Sequence, residues 1–317
     1  MAVVEEVFVS DQEQEGKGTG FRSGYVSLVG KPNVGKSTLL NRLVAQKLAA
    51  MSRRPQTTRN KITGVCHLLK GQIILLDTPG IHEATSALNK RMVKAAIATF
   101  NDADRILFMV NAQEGFAAED RFVLETLKAS STPVTLAINK IDLVAKSEVL
   151  SLMDTLNKEH SFDDLVPISA LKEDGLDVLK DVLLAGMPEG PAYFPEDLVT
   201  DCPEEFLTGE IIREKIIKLT HLELPYAVAV VVESMKAGIK EGVTVIDATI
   251  YAEKASQKKI LIGAGGQLIK KVGIQARQEL ERRFGGKVVL KLFVKVKPGW
   301  RDNAKTLKEL VYTHDPS

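Results

Sequence analysis

The chain has 317 residues, of which 44% are hydrophobic and 26% are charged. This length and composition are typical of a globular protein with about two domains, and they exclude a disordered chain, a coiled coil and a collagen-like fibre. No apolar run approaches the ~18 residues that a membrane span needs. The two cysteines, Cys66 and Cys202, are too few for a disulfide framework, and the acidic start does not fit a signal or transit peptide. The sequence therefore predicts a protein of the reducing cytoplasm without an integral membrane segment.

The formal net charge of +1 conceals an uneven distribution of charge. Residues 254–305 carry 14 Lys or Arg and three acidic side chains, a local net charge of +11, so the remainder carries −10. A segment of this kind usually contacts a polyanion. A solvated basic face would give the same pattern, so charge alone leaves both interpretations open.

The pattern of apolar runs predicts two folded units. From Tyr25 to Leu184, short apolar runs alternate with longer helical stretches, which is typical of a mostly parallel sheet covered on both faces. Three prolines, Pro188, Pro191 and Pro195, then indicate a stiff extended connector. We therefore predict a disordered leader at 1–22, an α/β domain at 23–186, a linker at 187–203 and a small α+β domain at 204–317.

The second domain has its own predicted order of elements. The stretch EEFLTGEIIREKIIKLT at 204–220 predicts an amphipathic helix, and two strands follow with a turn at 236–242. A basic helical stretch then surrounds a glycine cluster, and the last predicted strand is KVVLKLFVKVK at 287–297. The predicted order is helix, two strands, two helices and a strand.

The stretch GKPNVGKS fits G-x-x-x-x-G-K-[ST] between a predicted strand and a predicted helix. Glycines at these positions let backbone amides wrap phosphates at the positive end of the following helix. The Lys36 ammonium would reach the β- and γ-phosphates, and the Ser37 hydroxyl would ligate Mg²⁺. The predicted phosphate-binding residues are Gly30, Lys31, Pro32, Asn33, Val34, Gly35, Lys36, Ser37 and Thr38.

Two further polar motifs follow predicted strands, where open α/β sheets bind ligands. The first comprises Asp77, Thr78, Pro79 and Gly80. Asp77 is the predicted carboxylate on the Mg²⁺ side, where we expect it to act through a water molecule, and the Gly80 amide can donate to a γ-phosphate. The motif is an ordinary turn when it stands alone, but its position after the phosphate loop favours a γ-phosphate sensor.

The second motif, Asn139-Lys140-Ile141-Asp142, predicts guanine as the base. The Asp142 carboxylate can accept from the ring N1–H and the exocyclic amine of guanine, whereas adenine would place a lone pair against it. Lys140 can cover the purine face, and Asn139 can join this loop to the phosphate loop. A backbone amide from Ser169, Ala170 and Leu171 is expected at guanine O6.

Hydrolysis requires groups beyond the phosphate loop. Thr57 or Thr58, with Thr58 favoured, should close over the γ-phosphate and add a hydroxyl to Mg²⁺; a plain solvated loop is the alternative. Ile81 stands where Ras-like GTPases place a water-orienting glutamine, so we expect slow intrinsic turnover that needs a cation or a partner. Asn33 resembles the asparagine that holds K⁺ in some GTPases, although asparagine also suits a tight loop. The predicted catalytic residues are Lys36, Thr58, Gly80 and Asn33, and the predicted metal ligands are Ser37, Thr58 and Asp77.

The basic segment contains a G-x-x-G sequence that predicts an RNA-binding loop. In KH domains such a loop approaches the nucleic-acid backbone, while apolar side chains line a groove for unpaired bases. A structural α+β module is the alternative. The predicted RNA-binding residues are Lys258, Lys259, Ile262, Gly263, Ala264, Gly265, Gly266, Lys270 and Lys271.

The first domain, from Tyr25 to Leu184, resembles a translation-factor-class GTPase domain. Two stretches resemble the Era family, which comprises TrmE-Era-EngA-like bacterial GTPases with a type II KH domain. They are QTTR in the first domain and IKKVGIQARQELERRFGGKVVLKLFVKVKPGW at 269–300. The resemblance covers nearly everything after residue 22. It implies a P-loop GTPase domain followed by a small α+β type II KH domain. Era loops usually carry Lys where Ala264 stands.

The same resemblance implies partners and a location. It implies use of GTP and GDP, binding near the 3′ end of 16S-type ribosomal RNA, and assembly of the small ribosomal subunit. It also implies peripheral association with the cytoplasmic face of the inner membrane. Two other functions are open: an RNA chaperone that rarely turns over its GTP, and a P-loop kinase, against which the motif at 139–142 argues.

Overall fold

The computed structural model describes residues 20–52, 54, 57–81, 87–220 and 224–310. The first domain alternates strands with helices in chain order. These are β1 Arg22–Val29, α1 Lys36–Leu43, β2 Ile62–Leu68, β3 Gly71–Asp77, α2 Ala87–Asp102, β4 Arg105–Asn111, α3 Ala118–Leu127, β5 Val134–Asn139, α4 Lys146–Glu159, β6 Asp164–Pro167 and α5 Leu176–Ala185.

The first domain is a six-stranded sheet with the order β2-β3-β1-β4-β5-β6. Only the pairing of β2 with β3 is antiparallel. Buried side chains of α1 and α5 cover one face of the sheet, and those of α2, α3 and α4 cover the other. The strands are mostly apolar because both faces of the sheet are covered, which confirms the predicted fold class.

Strand β2 is absent from the predicted elements. Its sequence, ITGVCHL, contains Gly64, a residue that weakens a strand pattern. A Cβ at Gly64 would lie 2.7 Å from Cδ1 of Leu40, so the glycine lets α1 approach the strand closely. β1 begins at Arg22, three residues before the predicted start, and Arg22 pairs with Gly71. Residues 1–19 of the predicted leader lie outside the described residues.

The predicted linker is hydrogen-bonded to the first domain. The Val65 amide donates to Val199 O at 2.8 Å, and Gln72 Nε2 donates to Phe194 O at 2.8 Å. The connector therefore covers the outer edge of β2, whose backbone groups would otherwise be exposed.

The second domain follows the predicted order and adds one helix. It comprises α6 Glu204–Leu219, β7 Val228–Ala237, β8 Val243–Ala252, α7 Ala255–Ile262, α8 Gln267–Phe284, β9 Lys287–Val296 and α9 Ala304–Leu310. The sheet order is β7-β8-β9, with β7 antiparallel and β9 parallel to β8. α6, α7 and α8 pack their apolar residues against one face. This is the arrangement expected of a type II KH domain.

Helix α6 has the predicted apolar and charged sides, and both of these sides are buried. Every residue from Leu207 to Ile217 is buried, including Glu210, Arg213 and Glu214. One side packs against the KH sheet, and the charged side contacts the first domain. Among the described residues, no helix is long and apolar enough to span a bilayer.

Candidate functional site

The predicted phosphate loop joins β1 to the start of α1. Gly30 has φ 156°, Gly35 has φ 110°, and Asn33 has φ 65°. A Cβ at Gly35 would lie 2.2 Å from Asn139 Nδ2, so only glycine fits there. Asn33 has a left-handed backbone, and asparagine tolerates this conformation better than most residues. Its conformation therefore agrees with the alternative hypothesis, that Asn33 is present to form the loop.

Lys36 is buried beneath the loop. Its ammonium donates to the carbonyl oxygens of Gly30 at 2.9 Å and Lys31 at 3.1 Å. Burial lowers the pKa of Lys36 to about 8, although the Asp77 charge opposes this shift. The Lys31 side chain points elsewhere, to Asp120 at 2.8 Å and Glu114 at 2.9 Å. The backbone of Lys31 is therefore part of the phosphate loop, whereas its side-chain charge is paired with the two carboxylates.

The structure brings the three predicted metal ligands together. Ser37 Oγ donates to Asp77 Oδ2 at 2.6 Å, and Thr58 Oγ1 lies 2.8 Å from Ser37 Oγ and 3.3 Å from Asp77 Oδ2. Asp77 is fully buried, and its Oδ1 has no hydrogen-bond partner among the described residues. Burial raises the pKa of Asp77 to about 6, with Lys36 opposing the rise. A buried, unpaired carboxylate oxygen beside two hydroxyls fits a hard divalent cation such as Mg²⁺.

The two candidate threonines have different environments. Thr57 Oγ1 donates to Arg54 O at 2.8 Å, while the Thr58 hydroxyl meets Ser37 and Asp77. Gly80 passes close to the phosphate loop, since a Cβ there would lie 2.7 Å from the Pro32 nitrogen. Ile81, one residue later, is fully buried in the core that β4 shares with α2 and α3.

The predicted base-binding loops lie beside the phosphate loop. Asn139 Nδ2 donates to Val34 O at 2.7 Å, and Asn139 Oδ1 accepts from the Ala170 amide at 2.9 Å. Asp142 is exposed, and its Oδ1 accepts from Ser169 Oγ at 2.6 Å. Asn139 thus joins all three loops, and it engages one of the amides expected at guanine O6.

Three more predicted positions lie in these loops or in the turn after β3. Lys140 has φ 67°, and burial lowers its pKa. The Leu171 side chain is exposed. Thr78 Oγ1 donates to Leu28 O at 2.9 Å, so this hydroxyl supports the turn and does not face the phosphate loop.

The predicted RNA-binding loop connects α7 to α8. Gly263, Gly265 and Gly266 have φ of 75°, 56° and 78°, values that favour glycine. A Cβ at Gly263 would lie 2.8 Å from Leu268 Cβ, whereas positions 265 and 266 open onto empty space. Ala264 is exposed at the tip. Of the predicted lysines, Lys259, Lys270 and Lys271 are exposed, and Lys258 is half-buried.

Comparison with known proteins assigns both domains. Residues 25–140 match the family model described as 50S ribosome-binding GTPase, and residues 223–301 match the KH domain model. GTPase Era of Geobacter sp. strain M21 is 49% identical over 92% of this chain and 98% of its own length. GTPase Era of Syntrophus aciditrophicus is 47% identical over 92% of this chain and 95% of its own length. The chain belongs to the Era family of GTPases.

Solved Era structures have the same fold as this chain. A crystal structure of Era in complex with MgGDPNP and nucleotides 1506–1542 of 16S ribosomal RNA superposes with a TM-score of 0.90 at 42% identity, over 92% of this chain and 99% of the other. An Aquifex aeolicus Era variant bound to GDP·AlF4⁻ gives the same values. Because the chain is an Era-family GTPase, the alternative hypothesis of a P-loop kinase is wrong.

The KH domain of this Era-family chain has a groove that the predicted RNA-binding residues do not include. It lies between α8 and β9 and is lined by Ile269, Gly273, Ile274, Leu290 and Leu292, with Lys270 and Arg277 at its rim. The signal was present in the sequence, because positions 269, 273 and 277 recur every four residues along one face of a helix. Only Lys270 of this set is among the predicted residues.

The KH domain of the Era-family chain also contacts the segment that carries Thr58. Glu214 of α6 accepts from the Met51 amide at 2.9 Å and pairs with Lys47 at 2.8 Å. Burial alone would raise the pKa of Glu214, but Lys47 and further donors lower it to about 2. Beyond Thr58, Arg59 donates to Val228 O at 2.6 Å and Tyr226 O at 3.0 Å. Nothing in the sequence indicates these contacts.

Proposed function

We propose that this chain is a GTP-hydrolysing switch that binds ribosomal RNA near the 3′ end of the small-subunit rRNA and acts in small-subunit assembly. The observation that carries the proposal is the joining of two sites in one chain. A phosphate loop with clustered Ser37, Thr58 and Asp77 stands in one domain, and a G-x-x-G loop beside a groove stands in the other. The Era complex with MgGDPNP and 16S ribosomal RNA supports this combination.

In the proposed nucleotide site, GTP or GDP lies across the loops that Asn139 joins. Lys36 leaves the two carbonyl oxygens that it contacts and pairs with the β- and γ-phosphates. Ser37, Thr58 and Asp77 would hold Mg²⁺, which would supply positive charge to the phosphate oxygens. Asp142 accepts from guanine, and Lys140 lies over the ring. The Gly80 amide donates to the γ-phosphate.

The residue next to Gly80 is Ile81, which is buried in the core and cannot orient the attacking water. Hydrolysis therefore needs another group. We propose that a K⁺ ion held with the help of Asn33 supplies charge beside the phosphates. Turnover then depends on ions and on bound RNA.

In the proposed RNA site, the loop at 263–266 approaches the RNA backbone, with Lys259, Lys270 and Lys271 around it. Unpaired bases enter the groove between α8 and β9. The charge of residues 254–305 makes this interaction dependent on salt.

Phosphate release by the full chain, measured with and without single-stranded RNA, tests the switch. RNA should accelerate release, whereas an RNA chaperone with a structural GTP would release little phosphate in both conditions. Ala264 is the position at which to change RNA binding, because its side chain is exposed and its backbone is not left-handed. Ala264→Lys should strengthen RNA binding and raise the log–log salt slope by about 0.7. Ala264→Asp should weaken binding while GTP hydrolysis without RNA is unchanged; equal RNA binding by all three proteins would contradict the site.

A cytoplasmic location with peripheral membrane association is part of the proposal and rests on the family resemblance alone. Co-sedimentation of the chain with vesicles of bacterial lipids tests it. Failure to sediment would remove membrane association and leave the GTPase and RNA sites unaffected.

A further inference from the structure

The outer face of the KH sheet is only half covered. The inner residues of β9, such as Leu290 and Leu292, pack towards the helices. Because side chains alternate along a strand, the outer residues are those at 287, 289, 291, 293 and 295. Towards β7 the outer face is buried under Trp300, α9 and α2. Along β9 it is open, with Val289 45% exposed and Phe293 52% exposed.

This open strip, the outer residues of β9, alternates lysines with apolar side chains. Lys287, Lys291 and Lys295 bracket Val289 and Phe293, and neighbouring lysines are about 13 Å apart along the strand. Lys291 lies 3.5 Å from Asp247, an exposed pair of little strength. Lys287 and Lys295 are exposed and have no ion-pair partner within the described ranges. The strip therefore offers positive charge around a half-exposed aromatic ring.

Protection of an edge strand explains only part of this pattern. Lysines on an edge strand discourage pairing with another sheet. A half-exposed Val289 and Phe293 between them would promote association, so that role alone does not account for the strip. An aromatic ring on an open sheet face, flanked by cations, is the arrangement on which proteins stack unpaired RNA bases.

The strip lies on the opposite side of the strand that lines the KH groove. Leu290 and Leu292 of the same strand line that groove, and Arg277 stands at its rim. β9 is the last strand in the order β7-β8-β9. Because β9 is an edge strand, an RNA strand that leaves the groove has only this one strand to pass before it reaches the outer face.

We propose that the open strip of β9 is a second single-stranded RNA subsite that continues the KH groove. One base stacks on Phe293, and the phosphates on either side of it pair with Lys291 and Lys295. The inference rests on the proposed function, in that the first part of the same RNA occupies the groove.

Two RNA lengths separate the two sites. Fluorescence anisotropy with the full chain compares an oligonucleotide of about four nucleotides, the length that a KH fold clamps, with one of about ten. Phe293→Ala should weaken the affinity for the long RNA about 5- to 100-fold and leave the affinity for the short RNA unchanged. Phe293→Tyr should bind like the parent because the ring is kept. Lys295→Gln should lower the log–log salt slope by about 0.7 for the long RNA only.

The turn between β7 and β8 supplies matched controls. Ile239 and Lys240 are exposed there, beside the Lys287 end of the strip, so Ile239→Ala and Lys240→Gln remove an apolar side chain and a charge far from Phe293 and Lys295. Ile274→Ala, in the groove, should weaken both RNAs. If Phe293→Ala and Lys295→Gln bind the long RNA like the parent, or if Phe293→Ala weakens both RNAs equally, the subsite is overturned. If the parent binds neither RNA, the proposed RNA-binding function itself fails.

Discussion

Arg213 of α6 donates a hydrogen bond to the carbonyl oxygen of Thr57, the residue before the threonine whose hydroxyl meets Ser37 and Asp77. The next residue of α6, Glu214, accepts from the amide of Met51. Adjacent residues of one KH helix thus contact the chain on both sides of the segment that leads to Thr58. The position of the Thr58 hydroxyl therefore depends on how the KH domain is placed.

Arg213→Lys should loosen this arrangement while keeping a positive charge for Glu210, to which Arg213 Nε donates at 2.7 Å. A lysine cannot serve Glu210 and Thr57 together, because it lacks the planar fork of donors. Losing a charged hydrogen bond costs about 1.5–3 kcal/mol. The Mg²⁺ concentration for half-maximal GTP hydrolysis should therefore rise roughly tenfold or more. A magnesium titration of hydrolysis measures this.

Lys218→Gln is the control for Arg213→Lys. Lys218 lies on the same helix and pairs with Glu214 at 2.5 Å, but it does not contact Thr57. An identical magnesium requirement in Arg213→Lys and Lys218→Gln would show that the Thr57 contact has no role.

The affinity for Mg²⁺-GTP should be greatest between pH 6 and pH 8. The pKa of Asp77 is raised to about 6 by burial, so below pH 6 the free protein must lose a proton before Asp77 can hold a metal. The pKa of Lys36 is lowered to about 8, so above pH 8 it must take up a proton before it can pair with phosphate. Each effect weakens binding towards a limit of about tenfold per pH unit. Titrations from pH 5 to pH 9 measure the profile.

Asp77→Asn provides the control for the acidic side of that profile. The variant should bind Mg²⁺-GTP more weakly, but its affinity should lose the part of the pH dependence below pH 6 that Asp77 causes. If the affinity of both proteins falls equally below pH 6, the fall is caused by protonation of the nucleotide and not of Asp77.

Asp142→Asn should weaken GTP binding by about 1–3 kcal/mol or more, because one of two accepting oxygens becomes a donor facing guanine donors. Xanthosine triphosphate, which accepts where guanine donates, should gain affinity. Titration with both nucleotides measures the change. Glu173→Gln is a matched control, since Glu173 is an exposed carboxylate that pairs with Arg42. Unchanged GTP affinity in Asp142→Asn would remove Asp142 from the base site.

Potassium should accelerate GTP hydrolysis relative to sodium at equal ionic strength with RNA present. Asn33→Gly separates the two explanations for Asn33, because glycine adopts φ 65° freely and removes only the side-chain amide. The variant should lose most of the difference between the two salts. If the difference persists in Asn33→Gly, Asn33 is a loop-forming residue only.

The sequence indicates the nucleotide motifs directly because each is a short local segment whose spacing is typical of its chemistry. Residues 30–37, 77–80 and 139–142 all follow apolar strands, and parallel strands bring their carboxyl ends to one edge. The sequence could not predict the direction of the Lys31 side chain. Its partners, Glu114 and Asp120, lie more than 80 residues away along the chain.

Helix α6 shows why the domain contacts were missed. Its charged residues, including Glu210, Arg213 and Glu214, recur at spacings that indicate a solvated face. In the structure Glu214 pairs with Lys47 and accepts from the Met51 amide, and Arg213 donates to Thr57 O, all in the other domain. Glu210 pairs with Arg213 of the same helix. Periodicity distinguishes apolar from polar faces, but it does not distinguish water from a charged partner.

The hydrogen bonds of the connector fix most of its length to the first domain. Phe194 and Val199 are bonded to Gln72 and Val65, and Thr200 Oγ1 donates to Thr63 O at 2.6 Å. The connector up to Thr200 is therefore anchored to the first domain. Any change in the angle between the two domains would fall on the few residues between Thr200 and Glu204, and it would also have to break the contacts that α6 makes with the first domain.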